Sequence, residues 1–271
     1  TLLIMGADAK TSITGDIVKT PWMLAAEGQH WDVTAVFRGL GYDPGARLAA
    51  AYGDMAALKE YAATNPKMLL EEDKQECAPF IYAVRAGQLE AAKFLMDQGV
   101  PLNETVFDGD MAFFVALEKG NKAMLEAFMA HGTDMNQRDS TAFGNSALNR
   151  MAASGNIDMM RFLTEKGVRI NQPNLRGYTP LHSAADSNQP ESVKFLISLG
   201  AAPNIKNRIG QTPLHIAASR DEGEIAALLL DNGADIGATD TERRTPLHVA
   251  VEKDKTKMVT LLLDRGADVA M

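Results

Sequence analysis

The stretch Thr212-Pro213-Leu214-His215-Ile216-Ala217-Ala218 recurs 33 residues earlier as Thr179-Pro180-Leu181-His182-Ser183-Ala184-Ala185. It recurs again 33 residues later as Thr245-Pro246-Leu247-His248-Val249-Ala250-Val251. A fixed interval of this length specifies a stack of one supersecondary unit, in which each copy buries its apolar face against the next. Inside the motif each residue type has a physical task. The Thr hydroxyl caps a helix, and Pro fills the first helical position, where its missing N–H costs nothing. Leu214 enters the core, while Ala217 and Ala218 are small enough for a neighbouring helix to approach closely.

Two ladders extend the period through the chain. Turn residues fall at Gln29, Gly53, Gly87, Gly120, Gly155, Asn188, Asp221 and Asp254, and helix stops at Gly41, Asn65, Gly99, Gly132, Gly167, Gly200, Gly233 and Gly266. Each turn precedes its stop by 12 residues. All but Gln29 are Gly, Asn or Asp, which tolerate the left-handed backbone that ends a helix. Eight helix pairs are predicted. The first turn interval is only 24 residues, so the unit between Gly41 and Gly53 is expected to lack its protruding finger. A 35-residue step adds two residues near Thr141-Ala142-Phe143 and predicts a longer finger tip. Glu71-Glu72-Asp73, within Lys67–Gln75, reads as a solvated loop.

With these residues in view, the chain resembles the ankyrin repeat family. The resemblance implies an all-α repeat solenoid, a stack of helix-turn-helix units with β-hairpin-like fingers. It implies one ankyrin repeat domain over residues 1–271: a partial repeat at 1–19, divergent repeats at 20–77, intermediate repeats at 78–143 and near-consensus repeats at 144–271. Thr1–Asp8 is similar to Thr260–Asp268, the chain ends in mid-finger, and the last helix pair lacks a polar outer face. A fragment of a longer array is therefore expected. Ser146-Ala147-Leu148-Asn149 and Ala78-Pro79-Phe80-Ile81 are looser copies of the motif. In the family, the motif histidines (His182, His215 and His248) bond backbone between adjacent units. The Asn after each stop (Asn103, Asn136, Asn171, Asn204) opens the finger and bonds local backbone. Some relatives are hydroxylated at that Asn.

Chemistry is sparse. The net charge of −8, from 27 basic and 35 acidic residues, opposes nucleic-acid binding, which requires a basic face. Cys77 is the sole cysteine, expected half-buried before a helix, so no internal disulfide forms and a reducing compartment such as the cytoplasm fits. No apolar run is long enough to span a membrane. Histidines at one slot of successive units stand about a helix diameter apart, ~10 Å, too far to share a metal. His131, beside Gly132, suits the negative end of a helix. No phosphate loop, dinucleotide fingerprint, zinc motif or nucleophile elbow is present. The expectation is no catalytic residue, no cofactor and no metal, and Asp108-Gly109-Asp110 reads as a finger turn.

What remains is surface. In the family, partners dock on finger tips and first helices, which nominates Leu175, Arg176, Tyr178, Lys206, Arg208, Ile209, Gln211, Thr241, Glu242, Arg243 and Arg244 from the fingers. The first helices add Asp186, Ser187, Ser219, Arg220, Glu252 and Lys253. Arg176, Arg208 and Arg243/Arg244 on successive fingers predict an acidic strip on a protein partner. Phe107 and Phe143 form a second patch. The expected function is a monomeric scaffold or adaptor. The alternatives are the targeting or regulatory region of a larger enzyme, channel or secreted bacterial effector (acting in a host cytosol), and an enzyme inhibitor.

Overall fold

A computed structural model describes residues 21–72, 77–102 and 111–270. Among them run sixteen α-helices in eight pairs. The contacts divide into two compact units meeting between His131 and Gly132. The resemblance of Thr1–Asp8 to a second helix, Phe107, Asn103 and Asp108-Gly109-Asp110 lie outside the described residues.

In the first unit the pairs are α1–α2 (Pro21–Glu27, Trp31–Gly39), α3–α4 (Gly45–Tyr52, Met55–Thr64), α5–α6 (Pro79–Ala86, Leu89–Asp97) and α7–α8 (Ala112–Glu118, Lys122–Ala130). First helices pack in series, α1 on α3, α3 on α5 and α5 on α7, with second helices α4, α6 and α8 behind them. The core is aromatic: Phe80 and Phe113 both meet the Phe128 ring edge-on, at 5.7 and 6.0 Å between centroids. Between α2 and α3 there is only a short connection, and Asp43 holds it by accepting the Gly45 N–H and the Tyr61 hydroxyl. Buried Asp54 caps α4 by accepting the Ala57 N–H and pairs with Arg38 at 2.7 Å.

The second unit holds α9–α10 (Ala147–Ser154, Ile157–Glu165), α11–α12 (Pro180–Asp186, Pro190–Ser198), α13–α14 (Pro213–Arg220, Gly223–Asp231) and α15–α16 (Pro246–Glu252, Thr256–Asp264). Its first helices again pack α9 on α11, α11 on α13 and α13 on α15, and its second helices follow the same order. Ala152, Ala185 and Ala218, one per first helix, are fully covered, which is why that slot is small.

All eight turn residues adopt positive φ, Gln29 included at 55°. Seven stops do the same, but Asn65 does not, with φ at −149°. Pro66 follows it, and proline drives its predecessor out of the helical and left-handed regions. The segment expected as a solvated loop begins instead as a 3-10 helix, Pro66–Leu69, with Leu69 buried. Glu71 and Glu72 are exposed. Cys77 is fully buried rather than half-buried.

Candidate partner-binding surface

Each finger of the second unit is organised by one buried Asx carbonyl or carboxylate oxygen. Asn174 Oδ1 accepts the N–H groups of Arg176 and Tyr178, Asn207 those of Ile209 and Gln211, and Asp240 those of Glu242 and Arg244. A short side chain bonding backbone two and four residues on closes a turn without a β-ladder. In the first finger Asp139 Oδ1 reaches Thr141 and Asn145, so the clamp spans two residues more and Phe143 sits in the lengthened tip. Fingers then stack tip to tip: Leu175 donates to Phe143, Arg208 to Arg176, and Thr241 to Ile209, each through backbone N–H to carbonyl.

The motif residues lock this row to the helices. Thr179 N–H and hydroxyl both bond His182 Nδ1, and His182 Nε2 donates to the Gln211 carbonyl of the next finger at 3.0 Å. Thr212, His215 and the Arg244 carbonyl repeat the arrangement. Burial holds His182 neutral, with its pKa lowered to about 4. Asn149 does the same work in the looser copy, since Ser146 caps against it and its Nδ2 donates to the Tyr178 carbonyl at 2.9 Å. Sequence reasoning missed it by looking for a ring. The requirement is an acceptor and a donor on one short planar side chain, which an amide meets.

The stop-plus-four asparagines do not bond local backbone as expected: their side-chain oxygens reach the next repeat. Asn136, Asn171 and Asn204 accept the N–H groups of Arg169, Ala202 and Asp235, each in the following repeat. At Asn136 the local donors are already taken by Asp134, whose Oδ1 accepts the Asn136 N–H and whose carbonyl accepts the Gln137 N–H.

Against this frame the nominated side chains separate. Arg244 is shared by Asp240, Glu242 and Glu252 at 2.9, 3.2 and 3.0 Å. Arg220 directs two N–H groups at Asp186. Lys253 lies 3.5 Å from Glu252, and Lys206 donates to the Thr239 carbonyl. Tyr178 is half-buried against His182, with ring centroids 5.3 Å apart, and burial raises its pKa. Gln211 is half-buried and its carbonyl serves His182.

Arg176 lies over the exposed Phe143 ring, 3.8 Å from its centroid, forming a cation–π platform. Arg208 and Arg243 are exposed without a side-chain partner among the described residues, and Leu175 and Ile209 are exposed beside them. The clamps also fix position along each tip: Arg176 is two residues past its Asx, Arg208 one and Arg243 three. The arginines therefore occupy successive fingers without forming one column.

The described residues contain no cluster of His, Cys, Asp or Glu able to hold a metal, and no helix long and apolar enough to cross a membrane. His131, set apart in the first unit, donates from Nδ1 to the Ala127 carbonyl at its helix end and from Nε2 to Asp97.

A family model of ankyrin repeats in three copies matches residues 46–139, 113–207 and 199–271. The human ASB11 ankyrin repeat domain is similar in structure, with a TM-score of 0.65 at 25% identity, covering 84% of this chain and 99% of that domain. Among curated proteins, the potassium channel AKT1 of Arabidopsis thaliana is 35% identical over 78 residues, 28% of this chain and 9% of the channel. The human transient receptor potential cation channel subfamily A member 1 is 27% identical over 139 residues, 51% of this chain and 12% of the channel. Human inversin is 27% identical over 104 residues, 38% of this chain and 10% of inversin. The chain thus spans about a tenth of these relatives.

Proposed function

Because this chain belongs to the ankyrin repeat family, whose repeats are generally protein-interaction modules, we propose that it is a non-catalytic protein-recognition module, a scaffold or adaptor whose partner docks on the second unit's finger tips. One observation carries the reading. The clamps and motif bonds consume most polar groups of the fingers, yet leave Arg208, Arg243, Leu175, Ile209 and the Phe143–Arg176 platform exposed on a fixed backbone. Free guanidinium groups beside apolar side chains on a rigid row are the composition of interface anchors.

The partner is a protein with acidic residues that meet Arg208 and Arg243. The chain works as one monomeric ankyrin domain in a reducing, cytoplasmic setting. Capture of a partner from lysate by Arg208→Glu/Arg243→Glu is expected to fall about tenfold. The loss should shrink as salt rises, because exposed charges are screened. Recovery equal to that of the parent chain sinks the reading.

A second reading has its own support. The similar channels are many times longer than the matching region, so the array also fits a targeting or regulatory segment of a larger protein. The intact mass of the endogenous polypeptide separates the two readings.

A further inference from the structure

Phe143, Arg176 and Ile209 each stand one residue before a tip glycine, Gly144, Gly177 and Gly210. Their carbonyls accept the N–H groups of Leu175, Arg208 and Thr241. The three side chains thus follow one another along the row of tips, and Arg176 Cζ lies 3.8 Å from the Phe143 ring centroid. That is carbon–carbon contact, too close for an N–H to stand between, so the guanidinium lies flat on the ring. Stacking uses only the face of the group. Its N–H donors lie in the plane and stay directed outward.

The other finger arginines differ. Arg138 gives both Nε and Nη2 to the Pro173 carbonyl, and Arg244 is shared among three carboxylates. Arg208 and Arg243 are free, but no contact among the described residues holds their side chains in place. Arg176 is both held and unspent: its guanidinium has no hydrogen-bond or ion-pair partner among the described residues. The acids around it are committed elsewhere. Asp139 pairs with Arg150 at 2.8 Å and Asp186 with Arg220 at 2.7 Å. Glu242, which holds the corresponding tip position on the fourth finger, pairs with Arg244. On either side of Arg176, Leu175 is 43% exposed and Ile209 is 53% exposed.

Resting on the finger-tip reading above, we propose that Arg176 is the anchor of that surface. It receives an Asp or Glu carboxylate of the protein partner edge-on, and an apolar residue beside that acid lies on Leu175 and Ile209. A fork of coplanar donors matches the two oxygens of a carboxylate. An arginine already ordered by a ring also surrenders less side-chain freedom on binding than Arg208 or Arg243 does. Phe143 acts through Arg176, as a positioning residue. The two extra residues of the first finger, which carry its ring out to the tip, therefore serve recognition.

Fluorescence anisotropy tests this with two labelled peptides, Glu-Leu-Pro and Gln-Leu-Pro repeated about four times, enough at ~3.1 Å per residue to cross the tips. Both are amidated, so side chains carry the only carboxylates. Each is titrated with the parent chain, Phe143→Leu, Phe143→Tyr and Arg176→Lys. Arg161→Lys is the control, since Arg161 lies over the Phe195 ring at 5.2 Å but on the second helices. All four variants keep the net charge, so long-range attraction is constant and differences report geometry. The parent is expected to bind the Glu probe about tenfold tighter than the Gln probe. Phe143→Leu should lose about fivefold and Arg176→Lys about tenfold, while Phe143→Tyr and Arg161→Lys lose nothing. Parent-like binding by Phe143→Leu or by Arg176→Lys overturns the anchor. Arg208→Glu/Arg243→Glu, run alongside, separates it from the broader reading. A preference for the Glu probe that is lost there but kept in Arg176→Lys leaves finger-tip recognition standing and removes the anchor; no preference in the parent removes both. Phe143 and Arg176 are exposed, so the fold tolerates these substitutions.

Discussion

Two kinds of histidine in this chain respond to pH in opposite directions. His182 is neutral and buried, with Nδ1 accepting from Thr179 and Nε2 donating to the Gln211 carbonyl. Its pKa falls from 6.5 to about 4 on folding, because burial penalises the cation. Below about pH 6.5 the unfolded chain binds a proton that the folded chain refuses, so stability is lost as pH falls toward 4. By pH 5 the loss is about 2 kcal/mol for this residue, and His215 shifts in the same direction from the same cause. Urea unfolding at pH 7 and pH 5 measures it. His182→Asn, copying Asn149, should keep the bonds and flatten the dependence; an equally steep acid loss in that variant would refute the assignment. His131 runs the other way. Both its nitrogens donate, chiefly to Asp97, so its pKa is raised and its stabilising contact is full below 6.5 and fades as pH rises through the folded value. An NMR titration should show the His131 pKa dropping in Asp97→Asn. At this scale the Thr, Pro and Leu roles were legible from residue type, and the His role from the family resemblance. Asn149 was not, because a motif search ranks identity above hydrogen-bonding capacity.

Fingers and turns carry the next lesson. Gly210 and Gly200 both adopt positive φ, at 77° and 84°, but only Gly210 has a neighbouring backbone against its vacant Cβ position. Gly200→Ala should cost about 1 kcal/mol, the ordinary left-handed penalty. Gly210→Ala adds displacement of the fourth finger and should approach about 3 kcal/mol. Equal denaturant midpoints for the two variants would remove the steric argument. The ladders placed nearly every turn correctly because left-handed turns demand few residue types. Asn65 escaped them because its conformation is set by the following proline. The fates of Arg244 and Arg220 were illegible for another reason. Whether a charge is free depends on partners such as Asp240, Glu252 and Asp186, which the chain brings alongside only after stacking.

For the molecule, contacts between successive repeats mean that each unit loosens from its least-buried pair. In the first unit that is α1–α2: Thr34 is the one buried residue of α2, while Val33, Val36 and Leu40 face outward. Amide exchange should be faster in α2 than in α5 and α7, whose faces enclose Phe80, Phe113 and Phe114. Uniform protection from residue 31 to residue 118 would contradict this. The repeat number could be counted in the sequence, but the division at His131 could not, since the period runs through Gly132 unbroken. The Asp139 clamp has one further consequence. It tolerates a span of six residues where its counterparts use four, and the helices beneath keep their packing. Tip length is thus uncoupled from the fold, and residues 140–144 form a cassette. Foreign loops could be grafted there and selected for new binding without redesigning a single core side chain.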